Sequence, residues 1–89
     1  MRSYNTSERL DKILDKLSKK DKQLYEQVLR KIDEIINSKS IESYKNLRYN
    51  MKDSKRVHVG HFVLVFSYDK RLDLVSFEVL KHHDDVYKR

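Results

Sequence analysis

The side chains best suited to acid–base chemistry lie in the last third of the chain, in Arg56–Tyr68 and in the tail Leu80–Arg89. His58 and His83 could act as acid and base, because an imidazole titrates near neutral pH. Taken singly, each is more often an ordinary surface histidine. Tyr87 could stack on a base or hold a phosphate, and its simpler role is to anchor the C-terminal segment through its ring.

The run His82-His83-Asp84-Asp85 raises the question of a metal site. Adjacent residues rarely converge on one ion, and no spaced partner set of His or Asp completes a site. Cysteine is absent, which removes disulfides, thiol nucleophiles and cysteine-based zinc sites. We therefore expect no metal and no cofactor. Asp84 and Asp85 are expected to cap a short final helix instead.

A basic segment precedes this region: residues 45–56 carry a charge of +4 from five cations and Asp53. The cations are Lys45, Arg48, Lys52, Lys55 and Arg56. Tyr44 and Tyr49 are interleaved with them, a combination typical of single-stranded RNA contact. The alternative is a solvated surface, which is the more frequent role of a charged run. The net charge of +6 favours a polyanionic partner, either nucleic acid or an acidic protein segment.

Two amphipathic helices are predicted ahead of the basic segment. The first has an apolar stripe at helical spacing, with Thr6 or Ser7 as its cap. That stripe is Leu10, Ile13, Leu14 and Leu17. The second is predicted to start near Ser18, in a weak capping box with Asp21, and to end at Asn37-Ser38. Its buried stripe is Leu24, Val28, Ile32, Ile35 and Ile36. The two helices should form a hairpin.

The lone glycine sets the register of the predicted sheet. With Gly60-His61 at the centre of a two-residue type II′ turn, Val59 faces Phe62 and Arg56 faces Val65. Cross-strand partners share a face of the sheet. The residues predicted to face the helices are Val57, Val59, Phe62 and Leu64. Arg56 and His58 then lie on the opposite face, which we call the open face.

An even-length loop around Asp69-Lys70 extends this alternation into the next strand. It predicts Val75, Phe77 and Val79 in the core. Leu74, Ser76 and Glu78 are predicted on the open face. An odd loop would bury Ser76 and Glu78, which is costly without hydrogen-bond partners.

Length and composition indicate one domain over residues 1–89. The sequence has no 18-residue apolar run and no apolar signal core at its N-terminus. We therefore expect no membrane association and a cytoplasmic location.

The order of these features resembles the RelE/ParE family of toxins from toxin–antitoxin systems. That family has two helices, a basic segment, a meandering sheet and a His-Arg-x-x-Val-Tyr-like ending, which falls here on His82–Tyr87. The resemblance implies an α+β fold like that of microbial ribonucleases, with two helices on a three- to four-stranded antiparallel sheet and a short C-terminal helix or tail. Only residues 2–5 are available to form the family's first strand, so that strand is expected to be absent or very short.

The resemblance also implies an activity and partners. RelE-like toxins are metal-independent endoribonucleases that cut messenger RNA on the ribosome, using the 2′-hydroxyl of the RNA as nucleophile and so inhibiting translation. The implied partners are the ribosome with its message and an acidic, partly helical antitoxin, in a hetero-oligomer. The implied catalytic residues are Arg56, His58, His83 and Tyr87. The implied RNA-binding residues are Lys45, Arg48, Lys52, Lys55 and His82.

Two departures from the family pattern favour a rival function. Val63 stands where members commonly have an arginine after the turn, and His83 stands where the tail motif has one. The rival is a binding-only protein, either a ParE-like gyrase inhibitor or a toxin-fold protein of weak activity that binds an antitoxin.

Overall fold

The computed structural model describes residues 2–44 and 54–87, with side chains as far as residue 85. Within these ranges the chain forms four strands, three α-helices and one turn of 3-10 helix. The elements in chain order are β1 Ser3–Thr6, α1 Glu8–Lys20, α2 Lys22–Ile36, the 3-10 turn Ile41–Ser43, β2 Ser54–Val59, β3 Phe62–Asp69, β4 Leu74–His82 and α3 His83–Tyr87. The predicted α+β class, with two helices followed by a meander, is confirmed.

Short polar caps set the limits of the two long helices. Ser7 caps α1, because its hydroxyl accepts a hydrogen bond from the Leu10 amide at 2.9 Å. Asp21 ends α1 and also caps α2, since its carboxylate accepts from the Leu24 amide at 3.1 Å. The predicted start at Ser18 is wrong. Ser18 stays helical and donates its hydroxyl to the carbonyl of Asp15 at 2.7 Å, within the last turns of α1.

The sheet has the strand order β1-β4-β3-β2. β1 is present although short, and it pairs in parallel with the first residues of β4, from Leu74 to Phe77. The sheet is therefore mixed rather than antiparallel throughout. The Ser7 amide donates to the carbonyl of Phe77 at 2.9 Å, and at this point the chain leaves the sheet to enter α1.

The β2–β3 hairpin has the predicted register, with Val59 opposite Phe62 and Arg56 opposite Val65. Gly60 has a φ of +61°, and among the described non-glycine residues only Asp73 has a positive φ. His61 therefore has a negative φ, the combination of a type II′ turn. Glycine adopts the positive φ of the first turn position without steric strain, which explains why the turn forms here.

A β-bulge between β3 and β4 changes the predicted alternation. Phe66 pairs with Phe77 but Val65 pairs with Val79, so Glu78 is an extra residue on β4. The predictions for Val75 and Phe77 in the core are confirmed, whereas the prediction for Val79 is wrong. Leu80 takes the core position instead, and Val79 lies on the open face.

Two apolar clusters lie on the two faces of the sheet. The larger one joins the inner faces of α1 and α2 to the helix-covered face of the sheet, with Phe66 and Phe77 fully buried at its centre. The smaller one consists of Val63, Val65 and Val79 on the open face. These three valines, which we call the valine floor, are buried. The open face therefore has an apolar centre with polar side chains around it.

Candidate active site

The structure brings His58 and His83 together. Their rings are stacked, with centroids 5.4 Å apart and planes at 28°. His58 is exposed on edge strand β2, and His83 is the first residue of α3. The His83 amide donates to the carbonyl of His61 at 2.8 Å, which fixes the start of α3 against the β2–β3 turn. The turn at Gly60 thus positions both imidazoles.

Arg56 lies two residues before His58 on the same strand and therefore on the same face. It is half-buried beside the valine floor, opposite Val65. The sequence prediction that Arg56 and His58 share the open face is confirmed. A guanidinium next to an imidazole pair is suited to a phosphodiester, because it stabilises negative charge on phosphate oxygens.

Lys81 belongs to the same surface, and the sequence reasoning missed it. It pairs with Val63, which in turn pairs with His58, so the three residues form one row across the open face. Without the bulge, the alternation from Val75 and Phe77 would place Lys81 in the core. A lysine at a predicted core position could have indicated the irregularity, because an unpaired buried charge is costly.

His82 and Asp84 form a second polar group beside the stacked pair. The Asp84 amide donates to Nδ1 of His82 at 3.3 Å, so neutral His82 carries its proton on Nε2. Carboxylate oxygens of Asp84 lie 3.7 Å from Nδ1 of both His82 and His83. The His82 ring is also stacked near that of His61, with centroids 6.4 Å apart. The Asp84 amide therefore orients the neutral His82 ring, and the Asp84 carboxylate can form an ion pair with either histidine of the tail when that ring is protonated.

Lys55 lies on the other side of the sheet from Arg56. It pairs with the core residue Phe66, and its ammonium donates to the carbonyl of Tyr44 at 3.2 Å and to that of Glu42 at 3.4 Å. The structure does not bring Lys55 together with His58 and His83. Its predicted RNA contact stays a prediction.

Some predicted site residues fall outside the described part of the chain. Lys45, Arg48 and Lys52 precede residue 54, and the side chain of Tyr87 lies beyond the last described side chain. Within residues 2–44 and 54–87, no three His, Cys, Asp or Glu residues are placed to hold a metal ion. Among the described helices, none is long and apolar enough to cross a membrane.

Two tyrosines have raised pKa values. Burial raises the pKa of Tyr44, and its hydrogen bond to the carboxylate of Glu34 at 3.2 Å adds to the shift. The pKa of Tyr68 is raised by the hydrogen bond that its hydroxyl donates to Asp73 at 2.6 Å. Both hydroxyls connect loops to the fold.

The fold is a small α+β domain in which the start of the C-terminal tail lies against the β2–β3 turn beside an open sheet face. The chain is 47% identical over 81 residues, 90% of its length and 84% of the relative's, to a Methanocaldococcus jannaschii protein named "Putative toxin RelE4". The chain belongs to the RelE toxin family.

Solved structures agree with this fold. A metal-bound toxin from Helicobacter pylori has a TM-score of 0.76 at 21% identity, over 98% of this chain and all of that one (100%). A chain of the intact Escherichia coli RelBE toxin-antitoxin complex has a TM-score of 0.72 at 21% identity, over 92% of this chain and 96% of that one. No protein-family model matches the sequence.

Proposed function

We propose that this protein is the toxin of a toxin–antitoxin pair and a metal-independent endoribonuclease that cleaves messenger RNA on the ribosome. The observation that carries the proposal is the stacking of His58 on His83, with ring centroids 5.4 Å apart. Two imidazoles at this distance can both contact one phosphodiester group. Acid–base cleavage of RNA needs two such groups near the phosphate, because one must take a proton while another gives one.

In the proposed reaction, one imidazole takes the proton of the RNA 2′-hydroxyl, and the 2′-oxygen attacks the adjacent phosphorus. The bond between phosphorus and the 5′-oxygen breaks, and the other imidazole gives its proton to that oxygen. The products are a 2′,3′-cyclic phosphate and a free 5′-hydroxyl. Tyr87 is proposed to position the substrate, as the family resemblance implies.

Arg56 and Lys81 supply the positive charge that this reaction requires. Extra negative charge develops on the phosphate oxygens as the 2′-oxygen attacks, and fixed cations stabilise it. Arg56 lies two residues before His58 on β2, in the neighbouring row with Val65. Lys81 lies two strands from His58 in the row that the two share with Val63, about 10 Å from His58 at the usual strand spacing. The phosphate would lie between Arg56 and Lys81, over the valine floor.

The proposed partners follow from the charge of this surface. An acidic, partly helical antitoxin would cover at least part of the open face and block cleavage, by occlusion or by displacing the tail. The RelBE complex of E. coli, which this chain resembles in fold, is itself a toxin–antitoxin complex. A cytoplasmic location is proposed because messenger RNA and ribosomes are there.

One observation favours a binding-only protein. Val63 occupies the position where the family pattern has an arginine, and it is fully buried in the floor. The open face therefore lacks a cation at that point. A gyrase inhibitor of the ParE type, or a weakly active toxin that only binds its antitoxin, would not need one.

The experiment is cleavage of ribosome-bound messenger RNA by the purified protein, with analysis of the product ends. We expect 2′,3′-cyclic or 3′-phosphate ends, and no cleavage where the attacking nucleotide is 2′-deoxy. Ends that carry a 5′-phosphate, or activity that appears only after a metal is added to the protein, would exclude the mechanism. Gyrase inhibition without RNA cleavage would select the rival.

A further inference from the structure

Helix α1 lies beside strand β4 beyond the last residue of β4 that pairs with β1. β1 pairs with β4 only as far as Phe77, and the chain then enters α1 through Ser7. Ile13 of α1 packs against the large core cluster and also against the valine floor of the open face. The flank of α1 that carries Ile13 therefore borders the open face.

The charges of α1 are divided between its two flanks. Basic residues lie on the flank that carries Ile13. Arg9 is four residues before Ile13, Lys16 is three after it and Lys20 is seven after it, spacings that place them on the same side of the helix. Lys12 lies next to them on that side. We call these four residues, Arg9, Lys12, Lys16 and Lys20, the cationic row, and all four are exposed. On the other flank, Asp11 and Ser18 lie three and four residues from Leu14. The cationic flank is the one that borders the open face.

The cationic row has no structural partner in the described part of the chain. Lys12, Lys16 and Lys20 are spaced four residues apart, where like charges on a helix repel and destabilise it. None of the row lies within 4.0 Å of a carboxylate among residues 2–44 and 54–87, whereas on α2 Lys31 lies 3.2 Å from Glu34 and Arg30 lies 4.0 Å from Glu26. An external anion would relieve this repulsion.

We infer that the cationic row is a second RNA-binding surface, which holds the phosphate backbone of the RNA where the strand passes beyond β4, away from the stacked histidines. The inference rests on the proposed function, because it places RNA on the open face. From Arg9 to Lys20 the row spans about 16 Å at the α-helical rise. α1 has no aromatic residue, so it offers no ring for a base to stack on. Cations without stacking partners contact phosphates and do not select the sequence.

The test is equilibrium binding of a fluorescently labelled RNA of mixed sequence to three proteins, at several salt concentrations. They are wild type, the triple variant Lys12→Gln, Lys16→Gln, Lys20→Gln, and the control Lys39→Gln, Lys70→Gln, Arg71→Gln, which removes the same charge from exposed loop positions. Losing three phosphate contacts should weaken binding about tenfold or more at 0.1 M salt and lower the salt slope by about 2. The control should bind like wild type. Both variants should stay folded, and the α1 variant should melt no lower than wild type, because a like-charge repulsion has been removed.

The outcomes separate this inference from the proposed function. Equal RNA binding by the α1 triple variant and the loop control would overturn the inference even if the protein cleaves RNA. Weak binding by the α1 variant alone would support it even if no cleavage is found, in which case only the proposed function fails. If wild type binds no RNA, both fail. If the α1 variant loses only the binding of a polyglutamate peptide, the row is a site for acidic protein and the inference is wrong.

Discussion

The rings of His58 and His83 are stacked at 5.4 Å although one lies on strand β2 and the other begins helix α3. The contact depends on the hydrogen bond from the His83 amide to the His61 carbonyl, which ties the end of β4 to the β2–β3 turn.

Replacing His58 or His83 with alanine should reduce RNA cleavage about a hundredfold or more, because a general acid or base is lost. Stability should change by no more than about 0.5 kcal/mol, since both side chains are exposed. The control is His61→Ala, which removes an exposed imidazole from the same turn but leaves the stacked pair intact. If all three variants cleave like wild type while folded, the active site has been misplaced.

Arg56→Ala and Lys81→Met should each reduce kcat about a hundredfold, because each removes a cation that stabilises the charged phosphate in the transition state. Lys39→Met, at an exposed loop position, is the matched control. Single-turnover cleavage on ribosomes separates the chemical step from binding. An unchanged rate for Lys81→Met would remove Lys81 from the site without affecting the role of the histidines.

Leu64→Ala should lower the free energy of unfolding by about 2–5 kcal/mol, because Leu64 is fully buried between the sheet and the helices. Activity should be lost only to the extent that the protein unfolds. Leu72→Ala is the control, since Leu72 is 66% exposed at the β3–β4 loop and should cost no more than about 0.5 kcal/mol. Urea unfolding curves measure both, and similar costs would contradict the packing described.

Gly60→Ala should destabilise the protein by about 1–2 kcal/mol. Alanine is strained at a φ of +61°, although a Cβ there would meet only the Gln27 amide oxygen, at an ordinary 3.9 Å. His61→Ala, at the neighbouring position with negative φ, should be tolerated. Cleavage by folded Gly60→Ala should also fall, because the turn holds both His58 and the start of α3. Equal stability of the two variants would argue against a type II′ turn.

The stability of the protein should depend on Tyr44 at alkaline pH. Its pKa is raised above the ordinary value of 10.0 by burial and by Glu34, so the neutral phenol stabilises the fold. That contribution is fully present below about pH 10 and is lost as the pH rises through the pKa of the folded state. The melting temperature of wild type should therefore fall more steeply above about pH 10 than that of Tyr44→Phe. Parallel curves across this range would show that Tyr44 makes no such contribution.

The sequence alone determined the local parts of this protein. The apolar spacing gave both helices, and Asn37 ends α2 as predicted. Gly60 gave the turn and, through the alternation of side chains, the placement of Arg56 and His58 on one face. These features depend on residues close together in the chain, so their physical causes are visible in the sequence.

The tertiary structure decided what depends on distant segments. The bulge at Glu78 lies where β1 ends and α1 takes its place beside β4, and it moved Val79 and Lys81 to the open face. The position of His83 depends on the hydrogen bond that its amide donates to the carbonyl of His61. The cationic row borders the open face because Ile13 packs against the valine floor. Alternation along a strand is a local rule, and one extra residue reverses it beyond that point. Whether a strand takes an extra residue is decided by the packing of its neighbours.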